Sequence, residues 1–218
     1  MKKNIAVIGC GHWGKNLVRN FSELGALAVV CDPNDDLAQS YAEKYSADNL
    51  SFNAVLNNSA IEGVVLAVPA TLHASMAIEA MNAGKHVYVE KPLAMNKVEA
   101  EDMIAASNKN GVQLMVGHLL QYHPIFRTIL KLINAGEIGN LNYIYSNRLS
   151  FGKLRTKEDV IWSFAPHDIS MILSLIGDEP KSVEASGGYY LSKDIADTTI
   201  TFMNFANGVK AHIFVFEL

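Results

Sequence analysis

From residue 5 to residue 116, short apolar runs alternate with longer amphipathic stretches, separated by connections built on Gly, Pro or Asn. The first run, 5–8, leads straight into Gly9, and the second, 26–31, ends on Asp32 before Pro33. The run at 61–68 is continuous and rich in β-branched residues, the mark of a strand covered on both faces of a parallel sheet. Further strands are predicted at 86–89 and 112–116, and a short one near 50–52 inside the polar, mixed segment 46–58. Helical spacing predicts helices over 15–24, 35–45, 73–83 and 97–108, with Asn34 capping the second and Gly84 and Gly111 stopping the last two. Such alternation selects an α/β fold: a doubly wound parallel sheet with helices on both faces.

Beyond Gly117 the pattern changes. A helix over 124–135 ends at Gly136, and 141–151 alternates in the manner of an antiparallel strand with one solvated face. A short helix is predicted over 168–175, stopped by Gly177, followed by strands at 181–190, 198–205 and 209–217. Long strands behind one or two helices indicate an α+β second domain on a mainly antiparallel sheet. The predicted division is 1–119 and 120–218. The last apolar stretch, 211–218, ends the sequence with no turn or polar tail and reads as an uncovered edge. A C-terminally shortened form of a longer protein, with an incomplete second domain, is therefore expected.

Composition narrows the classes. The 218 residues are 50% hydrophobic and 18% charged with a net charge of −4, and no basic run marks a nucleic-acid surface. No apolar window is long enough to span a membrane or to serve as a signal peptide, so a cytoplasmic protein is expected. Cys10 and Cys31, at the ends of neighbouring strands, fit buried thiols in a reducing compartment.

The chemistry starts at Gly9, Gly11 and Gly14, a G-x-G-x-x-G between a strand and a helix. Gly9 permits the tight turn, Gly11 lets the backbone approach a pyrophosphate, and Gly14 lets the helix pack close to the strand. The helix behind it offers free N–H groups to an anion. Asp32, about 20 residues on, is placed to accept from a ribose diol and to repel a 2′-phosphate, which favours NAD over NADP. His12 and Trp13 lie inside the loop, and Pro69, His73, Glu90 and Lys91 lie at or just beyond other strand ends, where such sheets bind ligands. No pair of histidines has the spacing and acidic company of a zinc site, so no metal is expected.

The glycine loop with Asp32, the 69–73 turn and above all Glu90-Lys91-Pro92 resemble the glucose–fructose oxidoreductase and inositol dehydrogenase family, Gfo/Idh/MocA. The resemblance covers the whole chain and implies a Rossmann domain followed by a substrate domain. It implies hydride transfer between nicotinamide and a hydroxyl carbon of a sugar, sugar nucleotide or cyclitol, with substrate between the domains. Lys91 would relay a proton beside the nicotinamide, its direction fixed by a proline of a kind that is often cis. The family's second-domain histidine matches His167, expected at a helix entry, with the role of general acid–base. Ser163 stands where the family has an aspartate. Asp168 would orient the His167 ring or cap the next helix, and His118, Tyr122 and Arg148 join Lys91, His167 and Asp168 as substrate-binding candidates. The segment 163–168 resembles members that oxidise the 3-position of a nucleotide-linked amino sugar in surface-polysaccharide synthesis. An inositol or free-sugar dehydrogenase and a non-catalytic NAD-binding regulator are the alternatives. A homo-oligomer through the second-domain sheet is expected, because an open sheet needs cover on one face.

Overall fold

The structure, a computed structural model, describes residues 3–150, 159–191 and 193–217. The chain divides into two units, Met1–Gly117 and His118–Leu218.

The first unit runs β1 (Ile5–Ile8), α1 (Gly14–Glu23), β2 (Leu27–Cys31), α2 (Asp35–Tyr45), β3 (Asp48–Asn49), α3 (Phe52–Asn57), β4 (Gly63–Leu66), α4 (His73–Asn82), β5 (His86–Val89), α5 (Lys97–Asn110) and β6 (Leu114–Val116). Its strands form one parallel sheet in the order β3-β2-β1-β4-β5-β6. The strand order reverses between β1 and β4, the switch point beside which such sheets open a ligand crevice. The sheet is buried on both faces, one packing on Met81 and Met103 and the other on Leu17 and Val18. Each fully buried Leu or Met contributes about 1.5–3 kcal/mol relative to exposure. The helix starts are written in short polar side chains: Asn34 Oδ1 accepts from the Leu37 amide at 3.1 Å, and Asn96 Oδ1 from Glu99 at 2.9 Å.

One prediction for this unit needs correction. No strand forms at 50–52; β3 is two residues, Asp48–Asn49, and a helix, α3, follows it. Ser51 Oγ caps that helix through the Ala54 amide at 3.3 Å, and Phe52, Val55 and Leu56, at spacings of three and four, supply an inward face.

The second unit contains α6 (Pro124–Asn134), β7 (Tyr143–Ser150), α7 (Val160–Ile176), β8 (Pro180–Gly188), β9 (Thr198–Phe205) and β10 (Lys210–Glu217). The sheet order is β7-β10-β9-β8, with β10 parallel to β7 and antiparallel to β9. Strand β7 keeps the predicted alternation, its even-numbered residues sheltered and its odd-numbered ones exposed. Helix α7 covers one face, setting Val160, Ala165 and Ile172 against Met203, Phe205, Ala211, Ile213 and Val215. The other face exposes Tyr143, Tyr145, Leu149 and Phe202.

Two predictions are corrected here. Helix α7 is 17 residues long and starts at Val160 rather than 168, with Pro166 inside it. An interior proline costs about 3 kcal/mol, which the apolar face of α7 offsets by burial against the sheet. Its start is set by Asp159, whose Oδ1 accepts from the Trp162 amide at 3.1 Å. The final strand is also no edge: β10 lies between β7 and β9, so the apolar residues predicted to be uncovered are flanked by backbone on both sides. Phe151, the predicted end of the 141–151 strand, and Leu218, the end of the apolar stretch 211–218, lie outside the described residues.

Candidate functional site

The three loop glycines meet three different surroundings. Gly9 has φ +94°, and a Cβ there would sit 2.5 Å from the Ala67 carbonyl oxygen, so the turn after β1 is pressed against the turn after β4. A Cβ on Gly14 would lie 1.9 Å from the Gly9 carbonyl oxygen, which lets α1 start directly on the turn. A Cβ on Gly11 would meet nothing within 4 Å. Two glycines therefore serve the protein's own packing, and the third faces open space at the helix N-terminus, where an anion finds unsatisfied amides. This cradle fits a dinucleotide pyrophosphate.

Asp32 is half-buried at the end of β2. Its Oδ2 accepts from the Cys10 amide at 2.7 Å and its Oδ1 from the Asn34 amide at 2.9 Å. The carboxylate is thereby fixed beside the glycine loop, with lone pairs left on both oxygens for a diol. Cys10, within the loop, and Cys31, at the end of β2, are buried free thiols. Burial, and then the Asp32 charge, push the Cys10 thiol up to about 12, and the same two causes raise Cys31.

Glu90 joins the loop to the Lys91 turn. It is 8% exposed and accepts from Trp13 Nε1 at 2.8 Å, from the Tyr88 hydroxyl at 3.0 Å and from the Lys91 amide at 3.3 Å. Gly117 makes room for this pair, since a Cβ there would lie 2.6 Å from the Tyr88 hydroxyl. The Lys91–Pro92 peptide bond is cis, and Lys91 is half-buried. His12 and Pro69 are exposed on their turns. His73 is placed differently from the cofactor contact predicted for it: it is buried, with Nδ1 2.7 Å from the Pro92 carbonyl oxygen and Nε2 3.0 Å from that of Val68. Trp13 and Glu90, predicted as cofactor contacts, also hold one another. Tyr88 is a partner the sequence reading missed; its signal was position, two residues before Glu90 on a strand and so on the same face.

The second unit gathers a separate set. His167 lies within α7 rather than at its entry, with its ring edge-to-face with His118 at a centroid distance of 6.2 Å. His118 precedes the turn Leu119–Tyr122, which is tied to α7 where Ser174 Oγ donates to Gln121 Oε1 at 3.0 Å. Ser163, one turn before His167 on the same helix face, is buried. Asp168 neither caps a helix nor pairs with the His167 ring. It is 2% exposed, with Oδ1 accepting from Ser146 Oγ at 2.5 Å and Oδ2 from Arg148 Nε at 2.7 Å. Arg148 is thus anchored on β7 by a buried carboxylate from α7. Tyr122 is exposed, and His123 caps α6 through the Ile125 amide at 3.3 Å. Among the described residues, no group of three or more His, Cys, Asp or Glu side chains could hold a metal ion, and no helix is long and apolar enough to cross a membrane.

Residues 3–118 match the family model described as oxidoreductase family, NAD-binding Rossmann fold, and residues 126–217 match the Gfo/Idh/MocA C-terminal domain. The chain is 32% identical over 209 residues to the UDP-N-acetylglucosamine 3-dehydrogenase of Acidithiobacillus ferrooxidans, covering 95% of this chain and 64% of that one. The crystal structure of that dehydrogenase superposes with a TM-score of 0.88 at 30% identity, over 99% of this chain and 69% of the other. The scyllo-inositol dehydrogenase of Lactobacillus casei, with bound NAD(H) and scyllo-inositol, shares the fold at a TM-score of 0.89 and 19% identity, over 100% of this chain and 70% of that one. The chain spans less than two thirds of the length of two of these curated relatives, 64% of that dehydrogenase and 65% of an oxidoreductase of Bacillus subtilis strain 168.

Proposed function

The chain belongs to the Gfo/Idh/MocA oxidoreductase family, and from that premise we propose that it acts as an NAD-dependent dehydrogenase on a hydroxyl-bearing carbon of a sugar or sugar nucleotide. One observation carries the reading: Glu90 ties the Lys91 turn to Trp13 of the glycine loop, so the phosphate cradle and the lysine belong to one hydrogen-bonded assembly. When bound, NAD supplies the hydride acceptor. The chain's own residues do the rest. The loop around Gly11 binds the phosphates, and Asp32 holds the adenosine ribose and rejects a 2′-phosphate. Lys91 and His167 carry the proton between the substrate hydroxyl and water, the imidazole suiting exchange near neutral pH. Arg148, held by Asp168, together with His118 and Tyr122, binds substrate.

The sugar-nucleotide class is favoured by the 32% identity to an enzyme named for UDP-N-acetylglucosamine, and a role in surface-polysaccharide synthesis follows from that class. A non-catalytic regulator is the second reading, kept by Ser163 at the position of the family's aspartate. Two buried cysteines that form no disulfide, Cys10 and Cys31, suit a cytoplasmic site of action. Two copies meet through the exposed face of the second-unit sheet, where the His212 ring packs with Tyr143, Tyr145 and Phe202. The test is NADH formation by the purified protein with UDP-sugars, inositols and free sugars, alongside Lys91→Ala and His167→Ala. Turnover with a UDP-sugar, lost in both variants, is the expected result. NAD binding with no turnover of any candidate would favour the regulator.

A further inference from the structure

His73 opens α4 from a position 1% exposed, yet it is a polar ring in a place where an apolar one would pack. Its two ring nitrogens face two backbone carbonyls from different turns: Pro92, just after Lys91, at 2.7 Å, and Val68, just after β4, at 3.0 Å. Both partners are acceptors, and a neutral imidazole carries one N–H. Of the two neutral tautomers, the one protonated on Nδ1 donates across the shorter contact, to the Pro92 carbonyl. Glu90, the residue before Lys91, also holds this segment, its carboxylate accepting from the Lys91 amide at 3.3 Å. The two-residue segment that carries the lysine is therefore gripped at its first N–H and its last C=O by two buried side chains.

Resting on the dehydrogenase reading above, we propose that His73 is a positioning residue for Lys91. Its Nδ1–H to the Pro92 carbonyl ties the Lys91 turn to the turn after β4 and sets where the lysine amine stands. Small displacements at such a point are enough to matter, since a misplacement of about 1 Å can cost roughly 100-fold in rate.

Two substitutions divide the imidazole between them. The amide nitrogen of His73→Asn falls where Nδ1 stands and keeps the brace on Pro92, whereas that of His73→Gln falls where Nε2 stands and reaches only the Val68 carbonyl. Both lose the ring equally, so a merely structural role predicts equal damage. The expected result is kcat within about threefold of the parent in His73→Asn and a loss of roughly tenfold or more in His73→Gln, with KM for NAD and thermal midpoints alike in the two. Equal kcat values, or losses that track the midpoints, would overturn the proposal. A second readout needs no turnover: the acylation rate of Lys91 by acetic anhydride, followed by peptide mass spectrometry, should change in His73→Gln and hold in His73→Asn. If labelling splits this way while no sugar is oxidised even by the parent, the dehydrogenase reading fails and the positioning role stands. If the parent turns over and the two variants match in both readouts, the reading stands and the proposal fails. Should neither variant fold, 15N NMR of the parent's imidazole decides: a proton on Nδ1 supports the brace, and a bare Nδ1 overturns it.

Discussion

Gly11→Ala separates ligand binding from folding at a single carbon. The backbone at Gly11 is outside the left-handed region that favours glycine, and the added methyl would meet no protein atom within 4 Å. With no strain and no clash, the substitution should leave the fold as stable as the parent or raise it by about 0.4–1 kcal/mol, through reduced freedom of the unfolded chain. The methyl instead occupies the face of the loop that phosphate oxygens must approach. Losing one charge-assisted amide contact costs about 1.5–3 kcal/mol, which is roughly a 10- to 150-fold rise in Kd. Gly14→Ala is the counterpart. Its Cβ would stand 1.9 Å from the Gly9 carbonyl oxygen, so α1 has to move by about 1 Å. Overpacking of that kind costs about 1–3 kcal/mol, and the displaced helix weakens binding as a consequence of misfolding. Urea unfolding read beside an NADH fluorescence titration distinguishes the two. A Gly11→Ala protein that binds NADH with the parent's affinity would refute the assignment of this loop to the phosphates. A Gly14→Ala protein as stable as the parent would refute the packing argument.

Three further outcomes follow from the same geometry. Because burial holds the Cys10 thiol up to about 12 against 9.0 in the unfolded chain, the unfolded state releases its proton first, so stability should fall as pH rises above 9; Cys31 acts in the same direction. Iodoacetamide at mildly alkaline pH should label both thiols slowly in the native protein and quickly in urea, and fast native labelling would contradict the burial. Lys85 is 6% exposed and its Nζ donates to the Asn58 and Ile61 carbonyls at 2.7 and 2.8 Å. Lys85→Met strands both acceptors and should cost about 1–3 kcal/mol by urea unfolding, leaving NADH affinity unchanged because Lys85 precedes β5, away from the strand ends that form the cradle. Arg148→Met leaves the 2% exposed Asp168 charge without its cation, at a cost of about 3–5 kcal/mol, whereas Asp168→Asn leaves an arginine 31% exposed that can turn to water. The arginine variant should be the less stable of the two, and the reverse order by calorimetry would show that Asp168 does not depend on Arg148.

The parallel sheet was legible because its evidence is local. A run such as 61–68 can be covered on both faces in few ways, and Gly9, Asp32 and Glu90 each mark a strand end within a few residues of sequence. Helix α7 was misread because its evidence conflicts. Pro166 is a strong local breaker, and the opposing term, burial of Val160, Ala165 and Ile172 against strands roughly 30–55 residues further on, is absent from any window of sequence. The same applies to β10, whose neighbour β7 lies nearly 70 residues earlier and pairs with it in parallel. Residues 50–57 failed for a smaller reason: one turn and a half of amphipathic helix is too short for periodicity to distinguish from a strand.

The candidate site divides along the same line. Its backbone part, the glycine cradle, is specified by what each glycine lacks, and spacing alone identifies that. Its side-chain part is specified by partners: Trp13 with Glu90 across 77 residues, His73 with Pro92 across 19, Arg148 with Asp168 across 20. Each of these polar side chains has a direct functional role open to it on residue type alone, and each is also engaged with another part of the protein. A polar residue at a strand end thus carries two meanings, contact with a ligand or support of the residue that makes the contact. For His73 the burial and the two carbonyls select the second meaning. Lys91, half-buried on the turn that Glu90 and His73 hold, is the residue that the proposed brace would keep still.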